Sequence, residues 1–258
     1  MRLTSRDFDD IQAHIDLTKE ALGALGLSLH VDNDMVRFTD YLRDQPLTHG
    51  VPTTHEPSIT HLNPGNSFWI YVTEAATGRI IACHGQRLLE TDDFIEDCMA
   101  QTYFMDRMPR LDRTPISLSP EAAAVRIYGR VLLGGGLYIH PDWRARGLLI
   151  FNRCSRSVAL RHFRGDFLLG TLRNSPNRQG MATGGAAYSH WVQCFKGKEG
   201  LPRNPEAQDV ILAWSSRDEW LATIRRDLES RGDDRRIQAP LGIRPFPRVE
   251  EAASGSPG

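Results

Sequence analysis

The chain has 258 residues with 31 basic and 32 acidic side chains, a formal net charge of -1. That balance argues against a protein built to coat nucleic acid, which reads basic overall. The longest nearly unbroken apolar stretch, Val131 to Ile139, contains three glycines and is far short of a membrane span.

The first element is helical. Phe8, Ile11, Ile15, Leu22 and Leu25 recur at helical spacing, Thr4 and Asp7 can cap the start, and Gly26 can end it. The same N-terminal stretch, Met1 to Asp7, leads into acids rather than an apolar run, so no secretory signal is expected. Residues 44–67 are rich in Pro, Gly, Thr and His and read as a loop. Its His49, His55 and His61 lack the close spacing and partners of a metal site, so solvated loop histidines and no metal are expected. Strand signals follow at Phe68–Thr73 and Arg79–Leu88, joined by a turn with Gly78. The acidic run from Glu90 to Asp97 reads as the polar start of a helix through Met99 and Phe104. Its functional alternative is an electrostatic lip for a cationic substrate.

A long strand is expected from Val125 to Ile139, interrupted by Gly134-Gly135-Gly136, which suggests a bulge or a close backbone approach. Pro141 ends it. A helix then runs from about Arg146 to Phe163, with Leu148, Phe151, Ser155, Val158, Ala159 and His162 on one face and Arg153, Arg156 and Arg164 on the other. Strands at Asp166–Leu172 and Val210–Trp214 follow, and Ser216 with Glu219 forms a capping box opening a last helix. One domain over residues 1–231 is expected, with a helical and loop insertion at about 89–120 and a flexible tail over 232–258. The four scattered cysteines (Cys83, Cys98, Cys154, Cys194) read as thiols in a reducing cytoplasm.

The informative stretch is Gly136 to Ile150. A buried strand ends in a turn that supplies Arg144, Arg146 and Gly147 where a helix begins. A helix start offers unpaired N–H groups and a positive dipole end, and arginine adds charge-assisted donors, a combination suited to a pyrophosphate. Between Trp143 and Arg178 there are eight arginines and one acid, Asp166. Positive charge is therefore concentrated around this helix in a chain that is otherwise balanced.

The order strand, Pro, Arg-x-x-Gly, amphipathic helix, strand, Asn resembles the GNAT superfamily of N-acetyltransferases. Their phosphate loop is Arg/Gln-x-x-Gly-x-Gly/Ala; here it reads Arg144-Ala145-Arg146-Gly147-Leu148-Leu149, with Leu149 in place of the final small residue. The resemblance implies an α/β fold, a mixed and mostly antiparallel sheet flanked by helices. It implies an acyltransferase moving an acetyl or other acyl group from acyl-CoA to a small-molecule amine. Leu137, Tyr138 and Ile139 would pair with the pantetheine arm, in a splay beside Leu169 to Leu172. The turn from Arg144 to Leu149 would hold the pyrophosphate, and Asn174 or Asn177 would contact the cofactor, both being equally at home as turn residues beside Pro176. A strand N–H near Tyr138 or Ile139 would polarise the thioester carbonyl. The family's general-acid tyrosine falls seven or eight residues after the asparagine, where this chain has Met181, Ala182, Gly184 or Gly185. Tyr188 lies further on and reads equally as that acid or as a packed strand tyrosine. Glu90 and His84 are the candidate bases. A related alternative is an acyl-homoserine-lactone or N-acyl amino acid synthase taking its chain from acyl carrier protein. A third is a non-catalytic acyl-CoA-binding module.

Overall fold

The computed structural model describes residues 3–45, 50–100, 118–144, 149–173, 187–195 and 210–230. Helix α1 (Ser5–Gly23) opens with the expected capping box, Thr4 and Asp7 each bonding the other's backbone N–H, and buries Ile11, Ile15 and Leu22. Two elements follow that the sequence reading passed over. Strand β1 (Leu27–Asp32) and helix α2 (Met35–Arg43) carry visible signals: alternation of Leu27, Leu29 and Val31, then Asp34 capping a face of Met35, Phe38, Thr39 and Leu42. Both are short, and each was masked by the turn residues around it.

Strands β2 (Ser67–Glu74) and β3 (Ile80–Thr91) form the expected hairpin. Helix α3 (Phe94–Ala100) follows, and Asp93 accepts from the backbone N–H groups of Ile95 and Glu96 at its start. The acidic run is thus partly spent on capping. A short helix α4 (Pro120–Ala123) precedes β4 (Gly129–Ile139). The strand therefore begins four residues later than Val125, because Val125 and Ile127 bury themselves against α3 instead of entering the ladder.

After β4 come α5 (Pro141–Arg144), α6 (Leu149–Phe163), β5 (Phe167–Arg173), β6 (His190–Phe195), β7 (Val210–Ser216) and α7 (Arg217–Glu229). Strand β6 was also missed; residues 196–209, between it and β7, lie outside the described residues. The capping box of Ser216 and Glu219 opens α7 as expected.

Among the described residues the strands form one seven-stranded sheet in the order β1-β2-β3-β4-β5-β7-β6. Every pairing is antiparallel except β4 with β5. Helices α1, α6 and α7 cover one face through Ile11, Ile15, Leu160, Phe163, Trp220 and Ile224. On the other face α2 packs Phe38 and Leu42 on Trp69 and Tyr138, and α3 packs Phe94 and Cys98 near Leu133 and Leu169. The expected arginine face of α6 does not form. Arg156 is 2% exposed and lies between the rings of Tyr188 and Trp220, because the helix turns it toward the sheet.

Candidate active site

The sheet parts between β4 and β5. Their parallel pairing runs only from Val131 with Phe167 to Gly134 with Gly170, although β4 continues to Ile139 and β5 to Arg173. A ladder that stops while both strands go on leaves a wedge lined by backbone N–H and C=O groups, the template onto which an extended amide chain adds as a strand.

A bulge sits on β4 at the mouth of this wedge. Cys83 pairs with Tyr138 and Gly85 with Gly135, so β4 spends one residue more than β3 over the same span. Gly136 takes the left-handed φ of +65° that the bulge requires. A Cβ there would also lie 2.7 Å from Phe38. The glycine run predicted to be a bulge or a close approach is both.

This strand order, with one parallel pair and a splay beside a bulged central strand, is the mixed and mostly antiparallel α/β sheet that was expected. No family model and no curated protein matches the chain. Among solved structures it is similar to Arabidopsis thaliana NAA60 in complex with acetyl-CoA, at 10% identity and a TM-score of 0.42, covering 74% of this chain and 99% of that one. It is similar to the dodecameric spermidine N-acetyltransferase of Vibrio cholerae, at 10% identity and 0.43, covering 77% and 98%. A third is the aminoglycoside N(6')-acetyltransferase of Legionella pneumophila, at 9% identity and 0.41, covering 78% and 96%.

The last rung before the splay is a pair of glycines, and a polar group fills the space above each. A Cβ on Gly134 would stand 2.9 Å from His84 Nε2, and one on Gly170 would stand 2.4 Å from the Tyr188 hydroxyl. Both belong to the α6 face of the sheet. His84 comes from β3 and bonds Ser155 of α6 through Nδ1 at 2.6 Å, while the Arg156 guanidinium stacks 4.0 Å from the Tyr188 ring. Neighbouring strands lie about 4.8 Å apart, which sets the scale of the separation between the two positions. The structure thus brings together two of the three catalytic candidates, at the rung where the wedge opens.

Burial first, then Arg156 and His55, hold the His84 imidazole well below its ordinary range, so it is neutral at neutral pH. Burial pushes the Tyr188 phenol up, with Arg156 pulling the other way, so it keeps its proton. A neutral imidazole and a protonated phenol are the states needed to accept one proton and give another.

Glu90 is elsewhere. It lies opposite Arg130 in the β3–β4 ladder, bonds its guanidinium at 2.6 Å and is exposed. The four residues from Arg130 to Gly134 place it about 13 Å down the strand from the glycine rung. A surface cavity of about 310 Å3 beside it is lined by Arg87, Thr91, Phe94 and Asp97 among others.

Leu137, Tyr138 and Ile139 follow the bulge on the splayed part of β4. Arg144 ends α5 and donates from Nε to the Ile139 carbonyl at 2.9 Å. Ala145, Arg146, Gly147, Leu148, Asn174 and Asn177 lie outside the described residues, as does His49; of Leu149 only its place at the start of α6 is described. The concentrated positive charge is partly spent: Arg153 pairs with Asp227, and Arg164 lies over Phe8. His61 is exposed, but His55 is not a loop histidine in solvent. It is fully buried under Gly85 and Gly135, bonds Thr54, and burial followed by the charge of Arg87 lowers its pKa to about 3.

A second arrangement has the order of a nucleophile triad: Asp227 Oδ2 lies 3.3 Å from His14 Nε2, and His14 Nδ1 lies 3.0 Å from Ser157 Oγ. Ser157 is fully buried where α1, α6 and α7 meet. It ties the three helices together.

Proposed function

We propose that this protein is an acyl-CoA-dependent N-acyltransferase that moves an acetyl or other short acyl group to an amine by direct attack on the thioester. The observation that carries the reading is the glycine rung with an imidazole nitrogen over one member and a phenol over the other. The splay fits the donor: beyond Gly134, β4 has no β5 partner for its backbone, and an amide-bearing pantetheine arm supplies one. Leu137, Tyr138 and Ile139 would pair with it. Arg144 and the start of α6, with residues 145–148 between them, would take the pyrophosphate.

In this reading His84 Nε2 takes the proton from the attacking amine, directly or through one water. A β4 N–H facing the wedge stabilises the oxyanion as the C–N bond forms. The C–S bond then breaks, and the Tyr188 hydroxyl gives its proton to the departing thiolate. Acyl amide and free thiol are the products, and the proton on His84 returns Tyr188 to its acid form through solvent. Glu90, paired with Arg130 and far along the strand, has no part in it.

Thiol release with acetyl-CoA, longer acyl-CoA and acyl carrier protein donors, against a panel of polyamine, amino acid, aminoglycoside and peptide acceptors, tests this. The expected result is turnover that Tyr188→Phe lowers by about 100-fold or more. Tight CoA binding with no turnover across the panel would instead favour a binding module.

A further inference from the structure

We infer that Ser155 is a positioning residue that holds the His84 imidazole with its proton on Nδ1 and its lone pair on Nε2, aimed at the Gly134–Gly170 rung. The inference rests on the reading of His84 as the base, and it adds the group that makes Nε2 able to accept.

Proton counting around the Ser155 hydroxyl carries it. Ser155 is fully buried on α6, and its hydroxyl has one hydrogen and two lone pairs. That hydrogen goes to the Asn152 carbonyl, 2.9 Å away and one helical turn back, a local bond that helical serines commonly make. The oxygen can then only accept. His84 Nδ1 lies 2.6 Å from it, a distance that requires a hydrogen between the two atoms, so the imidazole supplies it. The Gln86 amide is 3.1 Å from the same oxygen and fills its second lone pair. Gln86 Nε2 is also 3.2 Å from His84 Nδ1; of its two hydrogens one goes to Ser155, and none goes to Nδ1, which already carries its own.

A neutral imidazole with hydrogen on Nδ1 has its lone pair on Nε2. Nε2 is the atom facing Gly134, where a side chain would otherwise stand. The opposite tautomer would present an N–H to the wedge and leave the base unable to accept. Ser155 touches neither donor nor acceptor substrate; it acts through His84.

The test uses the full chain with 15N-labelled histidine. In the wild type the His84 Nε2 resonance is expected to be that of a nitrogen without a proton. Gln86→Met keeps the serine and should keep this signature. Ser155→Ala/Gln86→Met removes both polar neighbours named at Nδ1 and should move the proton to Nε2, with kcat falling 10- to 100-fold and KM for acyl-CoA unchanged. Ser155→Thr, which retains the hydroxyl, should hold the wild-type tautomer. A protonated Nε2 in the wild type, a switch in Gln86→Met alone, or an unswitched double variant overturns the inference. The tautomer is read without substrate, so it stands or falls apart from the base assignment, which His84→Gln tests by turnover.

Discussion

At the scale of single residues, the site depends on what two glycines leave out. Gly134→Ala places a methyl 2.9 Å from the imidazole of His84. The backbone on one side and Ser155 on the other give the ring little room, so the variant should lose about 1–3 kcal/mol in chemical denaturation and most of its turnover. Adding His84→Ala should recover the stability and none of the activity. His84→Gln should lower kcat by about 100- to 10,000-fold in the thiol-release assay, with acyl-CoA binding retained. Because burial keeps the imidazole neutral across the ordinary working range, kcat/KM should rise with pH along the ionisation of the acceptor amine alone. An inflection in the ordinary imidazole range that His84→Gln removes would contradict that. Sequence reasoning found His84 and Tyr188 as candidates, but it could not place them together. They are 104 positions apart, and only the pairing of Gly134 with Gly170, over which they lie, brings them together. Ser155 was visible as a helix-face residue, and nothing in a linear pattern marks a hydroxyl as a hydrogen-bond acceptor.

At the scale of elements, legibility followed length and capping. Helices α1 and α7 were readable because each begins with a reciprocal cap, and Ser216→Ala should cost about 1 kcal/mol of unfolding free energy. The hairpin of β2 and β3 was readable from its turn. Strands β1 and β6 are six residues each and sit at the two edges of the sheet, too short to stand out from the turn residues that flank them. Helix α6 misled in one respect. A count of arginines on a helical wheel put Arg156 in water, whereas two aromatic rings accept its guanidinium inside the protein. The bulge was foreseen from three consecutive glycines, though which one would take the left-handed turn was not. Gly136→Ala meets both an unfavourable φ and the Phe38 ring, so it should destabilise more than Gly134→Ala does.

At the scale of the whole molecule, the α1–α6–α7 tie sets an acid limit. Burial alone would raise the Asp227 carboxyl, but its hydrogen bond to His14 and the charge of Arg153 outweigh that and hold it below 3.8. A depressed folded pKa gives stabilisation that is complete above the unfolded value and lost as pH falls through the folded one. Thermal melts of the wild type should therefore fall off in that acid window, and Asp227→Asn should flatten the fall. The fold class and the splay were both expected from the resemblance that the element order carries; the rung where the splay opens was not, since Leu169 and Gly170 are still paired with β4 and the parting begins only after them.

That absence makes the sheet two leaves. One holds β1 to β4, the other β5 to β7, and four rungs hinge them along their shared edge. Because the leaves come from consecutive halves of the chain, a guest strand in the wedge would act as a stitch between them. Amide exchange should slow on both Gly135–Ile139 and Thr171–Arg173 when the donor binds, so the molecule would report its own loading as a change in stiffness.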